Sequence, residues 1–303
     1  MRKITLSVLL LLLWAGHSST ETVIHTGVLG YLGTTEDAFQ EGFDRFCMNI
    51  SYDKYIENGT SSAEFIKSLS TERRIIRFHD NLMSMLMEIK TGKVDEIMLP
   101  DFTGHYIIRS NSSYEVKYNS GILSSGISFA FLKGREELKA EFDAAITAMK
   151  EDGTIAALAG KYVLASMDRD PKPLRPETFN DAETITVAVT GDMPPIDMFA
   201  GDGQPAGYNT AILSEIGRRL GKNIQMINIS TGGRSSALSS GRADVVFWYR
   251  TTESVLDDGD SEADPIESLF LDAPEGVILS LPYYSWNKEV IIMKAEGKGL
   301  FGW

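Results

Sequence analysis

Short apolar runs alternate with helical periodicities along most of the chain. "VIHTGVLGYL" reads as a strand, and "TTEDAFQEGFDRF" as a helix with Thr34 or Thr35 at its N-cap. Glu36 and Asp37 then fall in the first turn, where the helix dipole favours negative charge. "RRIIRF" is a second strand, "HDNLMSMLMEIKTG" a helix ended by Gly92, and "VDEIMLP" a third strand. "DFTGHYIIRS" begins a further helix or turn, and "GISFAFLKG" is another strand. In "REELKAEFDAAITAMKEDG" the apolar Leu138, Phe142, Ala145, Ile146 and Met149 share one helical face. "DRDPKPLRPETFNDAE" then breaks the pattern. Its Pro171, Pro173 and Pro176 predict a semi-extended connector. Beyond it the alternation restarts with strand "TITVAVTG", helix "NTAILSEIGRRLG" closed by Gly221, strand "NIQMINIS", short helix "GRSSALSSG" and strand "ADVVFWY". The acidic "ESVLDDGDSEADPIES" is expected to be a surface loop, and "GVILSLPYYSWNKEVIIMK" holds two more strand candidates. Such alternation predicts an α/β architecture with largely parallel sheets.

Composition narrows the picture. A chain of 303 residues suits one large domain or two lobes, and 43% hydrophobic with 10% aromatic residues marks it as globular. A net charge of -13 disfavours nucleic acid and anionic membranes as partners. The basic "MRKIT" followed by "LSVLLLLLWAG" predicts a secretory signal, the apolar run being too short to span a bilayer well. "GHSST" offers cleavage after Ser18 or Ser19. No later stretch is long and apolar enough for a membrane helix, so the mature chain is expected to be soluble and exported. The single Cys47 allows no intramolecular disulfide and reads as a small, semi-buried hydrophobe. His17, His25, His79 and His105 lack metal-ligand spacing, so neither a metal nor another cofactor is expected.

The second half carries the motifs of a known family. "ITVAVTGDMPPIDMFAGDGQPAGYNTAILSEIGRRLGKNIQMINI" resembles the opening of the family 3 extracellular solute-binding proteins, the amino-acid-binding type of periplasmic binding protein. "ALSSGRADVVFW" and "LSLPYYSWNKEVIIMK" are similar to two later family segments, the second leading into a hinge strand. The first half resembles the other end of the family. "GVLGYLGTTEDAF" and "MEIKTGKVDEIMLPDFTGHYII" match its second lobe, while "ISFAFLKGREELKAEFDAAITAMKEDGTIAALAGKYV" matches its hinge return and closing helices. The resemblance implies a two-lobed, periplasmic-binding-protein-like type II α/β fold in circularly permuted order. The expected division is signal 1–19, lobe 2 over 20–125, hinge strand and closing helices of lobe 1 over 126–165, linker 166–183, the rest of lobe 1 over 184–286, and a returning hinge strand over 287–303. A short linker can join natural termini because these tend to lie close together at the surface.

Site residues follow from the same resemblance. Gly33, Thr34 and Thr35 match the family's anion-binding helix start, although the same letters also make an ordinary N-cap. Asp101 falls near its ammonium-binding Asp, with Pro100 there instead if the register slips by one. The family's Thr-x-x-Arg reads "TTES" from Thr251, so the carboxylate-gripping Arg is missing, with Arg234 and Arg250 the nearby candidates to replace it. Asp192 and Met193 lie in the "GDMPPID" turn, Met193 and Ile196 standing where the family often has aromatics. Trp248 and Tyr249 end a strand where binding loops of open sheets converge. Asn209 and Thr210 replace the family's acidic pair.

These readings imply a periplasmic, monomeric binding protein. It captures a small polar or anionic, amino-acid-like solute between its lobes and hands it to an ABC-type membrane transporter permease or a receptor. A sensory or interaction module with a degenerate site is the alternative, and the missing Arg favours it. A dehydratase-like enzyme is a weaker third reading. Asp101, Asp192 and Asp197 supply carboxylates, but no Ser-His-Asp, Cys-His or metal constellation accompanies them, so the chain is not expected to be an enzyme.

Overall fold

The structure is a computed structural model, and it describes residues 22–29, 37, 40, 72–120, 125–251, 275–286 and 288–295. The expected signal, Thr34, Thr35, Cys47 and the acidic stretch over 253–268 lie outside the described residues.

The first run contains β1 (Thr22–Leu29), β2 (Glu72–His79), α1 (Leu82–Thr91), β3 (Glu96–Pro100), α2 (Asp101–Ser110) and β4 (Tyr114–Ser120). The long middle run has β5 (Ser125–Leu132), α3 (Glu136–Glu151), α4 (Thr154–Tyr162), β6 (Thr184–Val189), β7 (Met198–Phe199), β8 (Pro205–Ala206), α5 (Tyr208–Leu220), β9 (Asn223–Asn228), α6 (Arg234–Ser239) and β10 (Val245–Thr251). β11 (Val277–Leu279), β12 (Tyr284–Trp286) and β13 (Glu289–Lys294) close the described chain. β4 was absent from the sequence-based pattern, and the final segment holds three strands rather than two.

Two sheets organise these elements. The first has the order β2-β1-β3-β13-β4, with β1 parallel to β2 and β3, and β13 antiparallel to β3 and β4. The second has the order β11-β5-β10-β6-β9, with β12 also on β5. There β6 runs parallel to β9 and β10, and β5 antiparallel to β10, β11 and β12. All five residues of β3 are buried, as suits a central strand covered on both faces. The chain passes from the first sheet to the second between β4 and β5, and returns between β12 and β13. These passages lie side by side: Ser125 pairs with Trp286 at the edge of one sheet, and Ser120 with Glu289 at the edge of the other.

Local chemistry sets the helices. In α1, Leu82, Met85 and Ile89 turn inward, the Asn81 side chain accepts the Ser84 N–H at 2.8 Å, and Gly92 closes the end in the left-handed region. α3 buries Phe142, Ala145, Ile146 and Met149, and with α4 it packs on α5. Residues 127–163 therefore belong with the second sheet, β5 pairing with β10 and the two helices lying against α5.

The proline-rich connector is pinned at several points. Leu174 N–H donates to Pro205 O at 3.3 Å, Pro173 bridges to Ala206, and Phe179 N–H donates to Asn223 Oδ1 at 2.7 Å. On the other side, the Asp170 carboxylate accepts the Tyr106 hydroxyl at 2.9 Å and pairs with Arg109, both on α2 of the first lobe.

Gly104 sets how closely α2 can approach β13. A Cβ there would lie 2.2 Å from Val290 Cγ2, which real carbon atoms do not tolerate. Gly104→Ala is expected to destabilise the fold by roughly 1–3 kcal/mol through overpacking. Urea denaturation should show a lower midpoint at unchanged slope.

Candidate functional site

Loops at the carboxyl ends of parallel strands form the ligand edge of open α/β sheets. Here β1, β2 and β3 end together in one lobe, and β6, β9 and β10 end together in the other. The two edges meet across a cleft of about 380 Å³, lined by Asn81, Thr190, Asp192, Asn228, Ile229 and Ser230. That volume suits a small solute.

The loop after β6 is built around Asp197. Its carboxylate accepts the Thr190 N–H (2.9 Å), the Gly191 N–H (2.8 Å), the Thr190 hydroxyl (3.2 Å) and the Asn209 amide (3.2 Å). Met193 and Asp197 also exchange both backbone hydrogen bonds, at 3.1 and 2.8 Å. Gly191 sits at φ 74°, and a Cβ there would lie 2.6 Å from the Phe199 ring, so the turn requires glycine. Asp197 is buried, which raises its pKa, while the donors from Gly191, Asn209 and Thr190 pull it back. Asn209 in turn accepts the Tyr283 hydroxyl at 3.1 Å. The expected neutral substitutions Asn209 and Thr210 are both buried and serve this scaffold, Thr210 donating to Ala206 O at 3.1 Å.

Asp192, at the tip of that loop, does something different. Its Oδ1 accepts the Leu82 N–H at 3.0 Å, across the cleft at the amino end of α1, and its Oδ2 accepts the Thr231 hydroxyl at 2.9 Å. It is 6% exposed. Burial pushes its pKa up to about 6; the bonds from Leu82 and Thr231 resist, Asp197 adds to the rise and Arg234 opposes it.

The remaining sequence-derived candidates divide. Met193 and Ile196 belong to the hydrophobic core, not to an exposed wall. Arg234 starts α6 beside the cleft loop but is fully buried, with Nε donating to Thr231 O at 3.1 Å, so it braces the loop. Asp101 begins α2 at the carboxyl end of β3, its N–H donating to Lys288 O at 3.0 Å. It faces the interlobe passage, adding to the rise of the Tyr284 pKa to about 12 that burial chiefly causes. An aromatic seam crosses here: Phe102 of α2 meets Tyr284 (5.6 Å) and Trp286 (5.7 Å) edge-on, and Tyr284 meets Tyr208 of α5 (5.4 Å). Backbone pairing sets Tyr249, Arg250 and Thr251 opposite Ser128, Ile127 and Gly126; the side chains of residues 248–251, and Thr34 and Thr35 altogether, lie outside the described residues. Asn81, Thr190, Asn228, Ser230 and Thr231 were missed. Their signal was position, at or just after a strand end or at a helix N-cap.

Two sheets joined by a double passage, with polar loops facing each other at strand ends, make a two-lobed α/β fold of the type II periplasmic-binding-protein kind. Residues 185–253 match the model of the bacterial extracellular solute-binding proteins, family 3. The match covers the run from β6 to the end of β10, which carries the Asp192 loop. No curated protein matches the chain. Among solved structures, the chain is similar to a ligand-binding component of an ABC-type import system from Staphylococcus aureus with zinc bound, at 10% identity and TM-score 0.42, covering 91% of this chain and 67% of that one. It is also similar to the alkanesulfonate-binding protein SsuA from Xanthomonas axonopodis pv. citri bound to MOPS, at 7% identity and TM-score 0.38, with the same coverage.

The Asp192 charge carries a stability cost. Its folded pKa lies above the ordinary 3.8, so its contribution to stability is fully present below pH 3.8 and is lost as pH rises through about 6. The loss is at most on the order of 3 kcal/mol. Asp192→Asn keeps an acceptor for Leu82 without the charge. It is expected to stabilise the ligand-free protein at pH 8 and to give no such gain at pH 4, as read by urea unfolding at the two pH values.

Proposed function

We propose that the chain is an exported solute-binding protein that closes its two lobes on a small polar solute of amino-acid size and delivers it to an ABC-type permease or a receptor in the membrane. The carrying observation is the cleft itself: polar loops from both sheets converge on it, and Asp192 already spans it to Leu82. The family 3 match over residues 185–253 supports the same reading. Closure by hinge bending would bury the solute in matched hydrogen bonds. Among the described residues no helix is long and apolar enough to cross a membrane, and no cluster of three or more His, Cys, Asp or Glu could hold a metal ion.

The segment order is read as a circular permutation, with residues 20–125 as lobe 2, 126–165 and 184–286 as lobe 1, 166–183 as the joint between former termini, and 287–303 returning to lobe 2. Strand directions support it. β13 is antiparallel to β3 and β3 parallel to β1, so the end of β13 and the start of β1 lie at the same end of the first sheet.

A melting screen of the mature chain against amino acids, amines, polyols and organic acids tests the binding function. A solute at 100 times its Kd should stabilise the fold by about 2.7 kcal/mol. Flat melting across the whole library would count against it. For the permutation, a chain re-cut between Asp170 and Pro176, with its present ends joined by a short linker, should fold and melt cooperatively; a molten product would reject the reading.

A further inference from the structure

The two lobes are fastened to each other across the cleft by groups of the chain itself, whichever solute the cleft takes. Asp192 Oδ1, on the loop after β6 in the second lobe, accepts the Leu82 N–H of the first lobe at 3.0 Å. Leu82 is the first residue of α1, and the N–H groups of a helix's first turn have no acceptor within the helix. Asn81 Oδ1 accepts the Ser84 N–H at 2.8 Å, so the cap and Asp192 divide the open donors between them. The other oxygen of Asp192 is held from its own lobe, by the Thr231 hydroxyl at 2.9 Å. The residue after Thr231 makes a second approach: a Cβ on Gly232 would lie 3.5 Å from Asp80 Oδ1 of the first lobe. The second lobe thus meets the corner formed by Asp80, Asn81 and Leu82 at two adjoining points.

Bending at the two strand passages would part Asp192 from Leu82 and leave its bond to Thr231 intact, since Thr231 moves with it. Opening would also return to water a carboxyl group that is 6% exposed in this arrangement. Lobe position and the hydration of Asp192 are therefore coupled. We propose that the Asp192 side chain is a clasp that closes the lobes without a solute, and that closing takes up a proton there.

The charged and titratable groups around Asp192 are Asp197 on its own loop, Arg234 on α6, and Asp80, His79 and Glu88 on the opposite lobe, where His79 lies 3.9 Å from Glu88. Burial is the largest influence and raises the Asp192 pKa to about 6; Asp197 adds to the rise, while Leu82, Thr231 and the counter-charge of Arg234 oppose it. Arg234, Asp197 and Thr231 stay with Asp192 in either lobe position, so the change on opening is the return of water and the loss of Leu82. Water is the larger of these, and the pKa falls back toward the ordinary 3.8. A pKa that is higher in the closed form favours closure on the acid side, an advantage lost as pH rises through about 6. Between the two values the closed-to-open ratio changes by up to about tenfold per pH unit, on the order of 100-fold in all. A protonated carboxyl still has an oxygen for Leu82, so the clasp survives the proton. Solute enters only the open form, and acid therefore slows its capture.

The test follows lobe closure in the mature chain, unfolded and refolded to strip any carried solute, between pH 4.5 and 8. Small-angle X-ray scattering should give a smaller radius of gyration at pH 4.5 than at pH 8; acid unfolding would enlarge it instead. Exchange of the Leu82 amide, corrected for its intrinsic rate, should be slower at pH 5 than at pH 7 by up to about tenfold. Asp192→Asn, a neutral stand-in for the protonated acid, should stay closed across the range with a flat profile. Asp192→Ala should stay open across it, with melting confirming that both variants fold. A radius and a Leu82 protection that ignore pH, or that move in the opposite sense, would overturn the clasp. So would a pH profile that survives Asp192→Asn, which would assign it to another group such as His79. If a variant fails to fold, the pH dependence of Leu82 protection in the unmodified chain decides alone. None of these outcomes touches the solute-binding function, which the melting screen decides separately.

Discussion

The two lobes depend on one narrow constraint: the described backbone passes between the two sheets only where β4 meets β13 and β5 meets β12. Ser120 opposite Glu289 and Ser125 opposite Trp286 keep those passages adjacent. Adjacent extended strands can change a few backbone dihedrals without breaking either sheet, so relative motion of the lobes is concentrated there. Everything placed at the strand ends then faces across a gap whose width is set at that hinge. The aromatic seam of Phe102, Tyr284, Trp286 and Tyr208 packs beside it, and Trp286 Nε1 donates to Glu289 Oε1 at 3.1 Å within the returning passage.

Two carboxylates five residues apart show how one loop separates scaffold from site. Asp197 has four donors around it, all from its own lobe, and functions as the post around which the loop winds. Asp192 has two donors, one of them from the other lobe. The first is satisfied whatever the lobes do. The second is satisfied only while they are together, and its elevated pKa is the mark of a charge held in a place where water has been removed and not fully replaced.

Much of the fold was legible because β1, β3, β5 and β6 are apolar runs and α1, α3 and α5 carry clear periodicities. β4 was not, since "YEVKYNS" carries mostly polar letters and exists as a strand through its ladder with β13, nearly 180 positions later. In the site, the "GDMPPID" turn pointed to Asp192, which lines the cleft, but motif matching cannot tell a lining residue from one behind it. Met193 and Arg234 looked equally available in the letters. Their burial comes from packing against residues distant in sequence, and only coordinates supply that. Asn81 could have been found: an Asn three residues before Ser84 and just before an apolar periodicity is an N-cap signal, and strand-end loops are where such caps meet ligands.

The connector between the halves has a mechanical consequence. It is fastened to the second lobe through Pro173, Leu174 and Phe179, and to α2 of the first through Asp170. The Asp170 contacts on Tyr106 and Arg109 fall toward the far end of α2, roughly 8–12 Å along the helix from where Asp101 touches the hinge. Two neighbouring strands alone would permit both bending and twisting. A third attachment off their line resists twist while leaving bending free, as a stay steadies a door on its pins. An exposed ion pair is a weak stay, screened by salt, so the breadth of the lobes' angular range becomes a quantity that ionic strength can set.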